Sequence, residues 1–526
     1  MPALLSGCAN PPQISAVAPG NGAGGVSTAQ PIKITFNVPM NEASVDARFR
    51  LKPEVKGSIH WRGTKTLVFD HPTLRTKFKY QVILGGGYQD RNGTTNVFRH
   101  DWHFQTELAP TLQAATPGQG SGGIDPSTYL ALTFSRPMNL SSLASAIHIG
   151  PSISFTLHDD PTNPARVLIA PQGLLYPNTS YSVTVSDRAL DRHGNHLRKG
   201  QVTTFSTGAR VPLSHWVSFA TTGSSAGVGN GIWIVNDTLI PRRLVSGQVS
   251  DYSWSADGSL LLVRGQGESW SVRPVEGGSP TPLPFQAEWA SFLSDNSYVY
   301  LEGGVLKILD AGGQTTEVAS GVSDVAVDNN GNRAEKIAFV IGLSHGYQVE
   351  AYDAGLRSRY ELFSQSTPMD QLSWAPNGQA VAYRLDAPNP AQDQIQVRVL
   401  SGQGSTVTLA RGDVSSPTWQ ADSNHVFFQS VVQGADGTVA KIFQGGLDET
   451  TPAALSAGDG MPSQGGIVPG SFSVSPDGRE IAFLTAKNGR TDLWWMNTDG
   501  TGLAQLAAFG VKKFPYSCTA VGWTPT

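Results

Sequence analysis

The chain has 526 residues, of which 39% are hydrophobic and only 15% charged, and its formal net charge is −4. This length allows more than one domain and a large core, whereas a pI near 6.3 gives no support to nucleic acid as a partner. No stretch reaches the roughly 18 apolar residues of a membrane-spanning helix. The two cysteines, Cys8 and Cys518, lie too far apart in the chain for a disulfide framework.

Residues 1–12 are predicted to be a signal remnant followed by a flexible tether. The segment Leu4-Leu-Ser-Gly-Cys8 resembles the bacterial lipobox, in which the cysteine thiol accepts a diacylglyceryl group. Only seven residues precede Cys8, without a basic stretch or a full apolar stretch, so either the true start lies upstream or the match is accidental. The resemblance implies lipidation of Cys8 and an extracytoplasmic chain anchored to the cell membrane.

Residues 13–107 and 110–208 repeat one pattern of short alternating strands and frequent turns, which is typical of β-sandwiches. The strand and turn Ile32-Lys-Ile-Thr-Phe-Asn-Val-Pro-Met-Asn41 reappear as Leu130-Ala-Leu-Thr-Phe-Ser-Arg-Pro-Met-Asn139. Three further positions recur 101 residues later: Tyr80 as Tyr181, Asp90 as Asp191 and Phe104 as Phe205. The repeat predicts two tandem domains.

Both repeats resemble the bacterial Ig-like domains of the S-layer type. The resemblance rests on the glycine-rich opening Pro19–Val26, on the strand Thr133-Phe-Ser-Arg-Pro-Met138 and on the closing Phe104-Gln-Thr106. It implies spacers, or adhesive or assembly modules, on a secreted protein. Because the disulfide of antibody domains is absent from the sequence, packing has to hold each sandwich together.

Residues 212–526 are built on copies of a strand, a tight turn and a second strand. The best copy is Phe472-Ser-Val-Ser-Pro-Asp-Gly-Arg-Glu-Ile-Ala-Phe483, whose Asp-Gly pair suits a tight turn. The turn positions are separated by 38, 35, 47, 45 and 55 residues, namely at Asp257, Asp295, Asn330, Asn377, Asp422 and Asp477. Such a period is typical of the blades of a β-propeller.

The two ends of this region predict how the propeller closes. His215–Ala220 begins without a preceding inner strand, and Thr519–Trp523 is an inner strand with no blade after it. Joined, they complete one blade, which makes seven with the six internal copies and removes exposed sheet edges. The predicted fold is therefore all-β: two Ig-like β-sandwiches followed by a seven-bladed β-propeller closed by the C-terminal strand.

The propeller region resembles the TolB-like, WD40-like propeller family, whose motif W-S-P-D-G-x-x-[IL]-[AV]-[FY] is met most fully by Val474–Phe483. In TolB itself another domain precedes the propeller, and here Ig-like domains take its place. The resemblance implies a platform that binds a partner.

Motifs of catalysis and metal binding find little support. Gly223-Ser-Ser-Ala-Gly227 matches G-x-S-x-G, but it lies in a loop between two strands and lacks the following helix of a nucleophile elbow. The eleven histidines are scattered, and Asp328-Asn-Asn-Gly-Asn332 lacks the order of a calcium loop. Arg411-Gly-Asp413 is interpreted as a turn. No metal and no cofactor are expected.

Two sets of residues on the predicted inner strands are candidates for binding. The tryptophans Trp254, Trp374, Trp419 and Trp523 share one register and are interpreted as packing between blades, with a sugar or cofactor platform as the alternative. Three or four residues before that register lie acids of four consecutive blades: Asp251, Glu288, Asp324 and Asp370. Gathered at one mouth of the channel, they would repel one another unless a cation or a basic partner joined them. Solvated loop carboxylates are the alternative.

These observations favour a non-enzymatic, lipid-anchored envelope protein whose propeller binds a protein or an envelope component on Ig-like spacers. The alternatives are a propeller enzyme, related to lyases or peptidases, and a purely structural envelope protein. An enzyme should bring histidines, arginines or metal ligands to one channel mouth, where the sequence offers acids. The ligand and the oligomeric state are not readable from the sequence.

Overall fold

A computed structural model describes residues 10–526 except 212, 214, 224–228, 266, 268, 331–332, 403, 435–436, 456–465, 488–489, 509–515 and 526. Cys8 therefore lies outside the described residues. The chain divides into two compact units, one comprising residues 1–124, 128–171 and 177–208 and the other comprising the remaining residues. None of the helices in the described part is long and apolar enough to span a membrane.

The first sandwich contains ten strands and one short helix. Its elements are β1 Ile14–Ala18, β2 Ala23–Val26, β3 Ile32–Phe36, α1 Glu42–Asp46, β4 Phe49–Lys52, β5 Ser58–Arg62, β6 Thr66–Asp70, β7 Lys79–Leu84, β8 Tyr88–Gln89, β9 Thr95–Asn96 and β10 His100–Thr106. One sheet has the order β1-β3-β6-β5 and the other β2-β10-β7-β4, and β8 and β9 form a separate ribbon. Side chains alternate along β3, where Ile32, Ile34 and Phe36 are buried.

The second sandwich repeats this arrangement. Its elements are β11 Leu112–Thr116, β12 Ser121–Ile124, β13 Leu130–Phe134, α2 Leu140–Ala146, β14 Ile147–Gly150, β15 Phe155–Asp160, β16 Asn163–Pro171, β17 Ser180–Val185 and β18 Gln201–Thr207. The sheet orders β11-β13-β16-β15 and β12-β18-β17-β14 match those of the first sandwich. Equivalent aromatic pairs stack in both cores, Tyr80 on Phe104 and Tyr181 on Phe205.

One local feature differs from the expectation. The Pro-Met-Asn segment was expected to turn the chain after its strand, and in both sandwiches it is followed by a short helix that was not predicted. The side chains of Asn41 and Asn139 accept hydrogen bonds from Ser44 N and Ser142 N, and so cap α1 and α2. Five or seven residues are too few to leave a helical period in the sequence.

In the described part of residues 209–526, the strands form seven four-stranded antiparallel sheets. They are β19 Val217–Gly223, β20 Gly231–Val235, β21 Arg242–Ser246, β22 Asp251–Trp254, β23 Leu260–Arg264, β24 Trp270–Pro274, β25 Thr281–Pro282, β26 Trp289–Phe292, β27 Tyr298–Glu302, β28 Val305–Leu309, β29 Thr315–Ser320, β30 Val322–Asn330, β31 Arg333–Leu343, β32 Gly346–Asp353, β33 Ser358–Gln365, β34 Met369–Trp374, β35 Ala380–Leu385, β36 Gln394–Val399, β37 Ser405–Arg411, β38 Val414–Trp419, β39 His425–Gly434, β40 Gly437–Gly446, β41 Ala453–Ala454, β42 Gly466–Val474, β43 Glu480–Lys487, β44 Arg490–Asn497, β45 Ala504–Ala508 and β46 Tyr516–Trp523. A short 3₁₀ helix, Pro390–Gln392, lies between β35 and β36.

Six of the sheets are consecutive in the chain, from β22–β25 to β42–β45. The seventh has the order β21-β20-β19-β46, so the last strand of the chain completes the sheet that begins the region. Val217 pairs with Trp523, and Phe219 pairs with Val521. The predicted closure by the C-terminal strand is therefore present in the structure.

The predicted tight turns join the first two strands of several sheets. Ser475 Oγ donates to Asp477 Oδ1 at 2.6 Å and accepts from the backbone N–H of Glu480 at 2.9 Å. Gly478 has φ +71°, and a Cβ there would lie 2.6 Å from the Cβ of Ala421 in the preceding sheet. Glycine is thus required both by the backbone and by the close approach of the neighbouring turn.

Candidate functional site

The first strands of the seven sheets surround one cavity of about 690 Å³. Every sheet contributes to its wall through β22, β26, β30, β34, β38, β42 or β46. A shared cavity lined by the first strand of every sheet is the arrangement of a β-propeller around its channel. The all-β expectation, with two sandwiches and a propeller, is confirmed.

An apolar side chain, mostly a large one, lies at or near the end of each first strand. The residues in this register are Trp254, Phe292, Val327, Trp374, Trp419, Val474 and Trp523. Three of the indoles donate to the preceding sheet: Trp254 Nε1 to Ser218 Oγ (3.2 Å), Trp419 Nε1 to Ser373 O (3.0 Å) and Trp523 Nε1 to Ser473 O (2.9 Å). These bonds fix the indoles between sheets, as the packing interpretation expected.

Trp374 differs from the other three tryptophans. Its side chain lines the cavity and the residue is only 7% exposed. Its Nε1 is buried and has no hydrogen-bond partner among the described residues. A buried donor without an acceptor costs free energy, which a water molecule or a ligand would recover.

The position before each large side chain carries a small residue. Across the seven sheets these residues are Ser253, Ser291, Ala326, Ser373, Thr418, Ser473 and Gly522. Four of them line the cavity with hydroxyl groups, and we call Ser253, Ser291, Ser373 and Thr418 the hydroxyl ring. Sequence reasoning missed this set, although the recurring small residue before the aromatic position was a readable signal.

The hydroxyl ring is only weakly engaged within the protein. Ser253 Oγ and Ser291 Oγ lie 3.4 Å apart, and Thr418 Oγ1 lies 3.4 Å from Ser416 O. Both distances are long for hydrogen bonds between oxygen atoms. These hydroxyls therefore keep most of their capacity to donate to and accept from a ligand.

The wall of the cavity carries no ionisable side chain among the described residues. Besides the hydroxyl ring and the large apolar positions, it is formed by Ser255, Ala256, Leu293, Ala326, Leu372, Pro376, Ala421, Ser475, Pro476 and Pro525. The described wall therefore offers a ligand hydroxyl groups and apolar or aromatic surface, and no charged side chain.

The four predicted acids lie nearer the beginnings of their strands than the cavity residues do. Asp251 is the first residue of β22, Glu288 directly precedes β26, and Asp324 and Asp370 lie near the starts of β30 and β34. They belong to four consecutive sheets, as predicted. The structure brings Asp324 and Asp370 close enough to interact electrostatically. Convergence of all four carboxylates remains a prediction.

Each of the four carboxylates has a partner within the propeller. Asp370 forms a double hydrogen bond with the guanidinium of Arg384, at 2.8 and 2.7 Å. Glu288 accepts from the backbone N–H of Gly303 (3.0 Å), and Asp251 Oδ1 accepts from the N–H of Tyr252 (2.8 Å). The alternative of solvated carboxylates still fits Glu288, which is exposed, whereas Asp251, Asp324 and Asp370 are partly buried.

Asp324 is the most perturbed of the four. Its Oδ2 accepts from the backbone N–H of Leu372 in the next sheet at 2.7 Å. Burial, helped by the negative charge of Asp370, raises the pKa of Asp324 to about 6 against these hydrogen bonds. Burial also raises the pKa of Asp251. At mildly acidic pH, Asp324 and Asp251 hold protons more often than ordinary aspartates do. The four acids together therefore carry less negative charge there than four acids with ordinary pKa values would.

A separate polar cluster joins the two sandwiches. Glu107 and Asp191 lie with His193 in an arrangement that could hold a metal ion. The guanidinium of Arg136 already lies against both carboxylates, 2.5 Å from Glu107 and 3.7 Å from Asp191. Glu107 Oε1 also accepts from Asn195 Nδ2 at 2.9 Å. The positive charge of Arg136 already pairs with the carboxylates, and Glu107 already accepts hydrogen bonds. This cluster is therefore better suited to joining the two sandwiches than to holding a metal ion.

Other sequence motifs carry little chemistry. The residues between Gly223 and Gly229 lie outside the described part of the chain, as do residues 331–332 of the proposed calcium loop. Gly412 lies in the short turn between β37 and β38 with φ +121°, which agrees with the turn interpretation. Cys518 is buried, and burial raises the pKa of its thiol to about 12.

Comparison with known proteins gives a family match for the two sandwiches and remote structural neighbours. The sequence matches the bacterial Ig-like domain family over residues 9–106 and again over residues 107–207. TolB from Acinetobacter baumannii is 12% identical with a TM-score of 0.39, covering 80% of this chain and 100% of that chain. A putative TolB from Agrobacterium tumefaciens is 13% identical with a TM-score of 0.35, covering 56% and 88%. An oligogalacturonate lyase in complex with manganese is 11% identical with a TM-score of 0.39, covering 57% and 88%.

The chain thus carries two bacterial Ig-like domains followed by a β-propeller.

Proposed function

We propose that this protein is a non-enzymatic binding protein of the bacterial envelope, in which the propeller cavity receives a ligand and the Ig-like pair acts as a spacer. The observation that carries the proposal is the cavity of about 690 Å³ whose described wall has hydroxyl groups and aromatic edges but no ionisable side chain. The volume lies in the range of small-ligand sites. General acid–base and metal-assisted catalysis need titratable or metal-ligating groups at the reacting atoms, which this wall does not offer.

The binding part of the proposal is tested by blocking the cavity. Ser373→Arg places a long charged side chain in an uncharged space, and Ser291→Lys does the same from another sheet. Ser358→Arg, on the exposed outer strand β33, is the matched control. Full-length protein without its lipid is mixed with sedimented envelope fragments, and the bound fraction is measured after a thermal melt has shown that each variant folds.

We expect wild type and Ser358→Arg to sediment with the fragments and both cavity variants to remain in solution. If the folded cavity variants sediment as well as the wild type, or if the wild type itself does not sediment, the proposal is wrong.

The anchoring part of the proposal concerns Cys8. We propose that its thiol is acylated and that the protein is held at the membrane by this lipid. Produced in its native host from its own gene, the wild type should partition with membranes, and Cys8→Ala should be released into the soluble fraction. Equal partitioning of both forms would contradict lipidation of Cys8.

A further inference from the structure

We propose that the propeller cavity binds a neutral saccharide, with a pyranose ring seated among the residues of the hydroxyl ring. This inference rests on the proposed binding function and names the chemical class of its ligand.

The first step concerns charge. The described wall of the cavity has no ionisable group. A charged ligand would lose hydration on entry without meeting an opposite charge, and burying an uncompensated charge is expensive. The ligand is therefore neutral.

The second step concerns hydrogen bonding. Each serine or threonine hydroxyl both donates and accepts, and sugar hydroxyls have the same double capacity. The hydroxyl ring makes only long contacts of 3.4 Å within the protein, and Ser373 Oγ has no hydrogen bond among the described residues. The buried Nε1 of Trp374 adds an unused donor in a residue that lines the cavity.

The third step concerns geometry. Members of the hydroxyl ring come from β22, β26, β34 and β38, so they approach the cavity from several sides. A pyranose carries hydroxyls around its whole perimeter and can meet them together. An extended peptide presents its polar backbone groups mainly in two opposite directions, and it would leave part of the ring unused.

The fourth step concerns the apolar part of the wall. Trp254, Trp374 and Trp419 alternate with the hydroxyls, one residue further along each strand. Sugars have C–H groups on the faces of the ring, which pack on apolar and aromatic surface, while their hydroxyls bond at the perimeter. Alternating hydroxyl and aromatic groups match this division.

The test measures binding of four probes to the full-length protein by calorimetry. They are galactose oligomers, N-acetylglucosamine oligomers, galacturonate oligomers of matched length, and an uncharged peptide of alanine, serine and proline. The double variant Ser373→Ala/Thr418→Val removes two cavity hydroxyls with little change in volume. The control Ser358→Ala/Thr315→Val removes the same two groups from exposed outer strands.

We expect at least one neutral saccharide to bind, and galacturonate to bind at least about tenfold more weakly than galactose of the same length. The double variant should weaken saccharide binding by roughly 10- to 30-fold, the effect of two lost hydrogen bonds. The control variant should bind like the wild type, and Trp374→Phe should weaken binding while leaving the fold intact.

Three results would overturn the saccharide assignment: no neutral saccharide binds, galacturonate binds as tightly as galactose, or the double variant abolishes binding of the peptide but not of a sugar. The envelope experiment separates this failure from that of the proposed function. If envelope binding depends on the cavity while every sugar fails, only the ligand class is wrong. If envelope binding is absent or independent of the cavity, the proposed function is wrong as well.

Discussion

At the scale of single residues, chemically identical side chains have different roles because their partners differ. Trp374 and Trp419 occupy equivalent positions on neighbouring sheets, but only the Nε1 of Trp419 meets an acceptor, Ser373 O. Asp324 and Asp370 are also neighbours, and only Asp370 is paired with an arginine. These contrasts provide matched pairs of variants.

The first pair tests the indole nitrogens. Trp419→Phe removes a hydrogen bond and leaves Ser373 O without its donor, so we expect it to lower the free energy of unfolding by about 1–2 kcal/mol beyond the change in packing. Trp374→Phe removes a donor that is already unsatisfied, and it should cost clearly less. Chemical denaturation measures both values. Equal destabilisation by the two variants would contradict the unpartnered state of Trp374.

The second prediction concerns the pH dependence of Asp324. Its pKa is raised in the folded protein to about 6 from an ordinary value near 3.8, so the folded state holds the proton more tightly than the unfolded chain. The associated stability is fully present below pH 3.8 and is lost as pH rises toward 6 and above. The full effect is no more than about 3 kcal/mol.

Asp324→Asn should remove this loss, because an amide oxygen can still accept from Leu372 N. We expect the difference in unfolding free energy between variant and wild type to change in favour of the variant from pH 4 to pH 6.5. A difference that stays constant over this range would contradict the raised pKa. Asp370→Asn is the comparison variant, because it removes the ion pair with Arg384 and leaves the carboxyl group of Asp324 in place.

At the scale of secondary-structure elements, the first strand of a propeller sheet combines several functions. In β22, Asp251 begins the strand, Ser253 faces the cavity with its hydroxyl, and Trp254 bonds to the preceding sheet. The Ser-x-Asp-Gly turn then ends the strand, with Gly258 at φ +66°. One short strand therefore provides cavity wall, contact between sheets and turn.

The contact between the two sandwiches can be tested by mutating Glu107. Burial alone would raise the pKa of Glu107, but hydrogen bonds from His193, Thr28 and Asn195 and the charge of Arg136 hold it below its ordinary range. The ionised carboxylate therefore stabilises the folded state above about pH 4.5, and this contribution is lost as pH falls through the lowered pKa.

Glu107→Ala leaves the guanidinium of Arg136 with a weaker partner and removes an acceptor shared by several donors. We expect it to lower the free energy of unfolding of the Ig-like pair by about 2–3 kcal/mol. The control is Asp159→Ala, which breaks an exposed pair with Arg192 at 3.0 Å and should cost under about 1 kcal/mol. Calorimetry of the full chain at pH 7 measures both. Equal effects would contradict the special role of Glu107.

At the scale of the whole chain, closure of the propeller depends on the last strand. Trp523 on β46 pairs with Val217 and shares one buried cluster with Val217 and Leu484, and Thr524 N donates to Trp216 O at 3.1 Å. Without β46, β19 would lose its hydrogen-bonded neighbour and become an exposed sheet edge, and β42 would lose a strand that packs beside it.

Deletion of Tyr516–Thr526 should therefore cause insolubility or a large loss of thermal stability. A tag fused after Thr526, which adds residues but removes none, is the control and should leave the melting temperature unchanged. A truncated protein that is soluble and melts at the wild-type temperature would show that β46 is dispensable.

Features that repeat along the chain could be predicted from the sequence. The offset of 101 residues between Tyr80 and Tyr181 predicted two domains. Recurring turns such as Asp257-Gly258 predicted the repeated sheets of the propeller. The incomplete blades at the two ends of the region, His215–Ala220 and Thr519–Trp523, predicted how the propeller closes. Strand alternation and turn chemistry are local properties, so short stretches of sequence are enough to encode them.

The tertiary structure alone decided which side chains meet. Ser253 and Ser373 are 120 residues apart and line one cavity, and Glu107 meets His193 across 86 residues. The acids of the inner strands were readable as a series, but the pairing of Asp370 with Arg384 depends on a neighbouring strand, and the burial of Asp324 depends on the next sheet. Such contacts arise when sheets pack around a common axis, because packing sets the distances between residues that no local pattern connects.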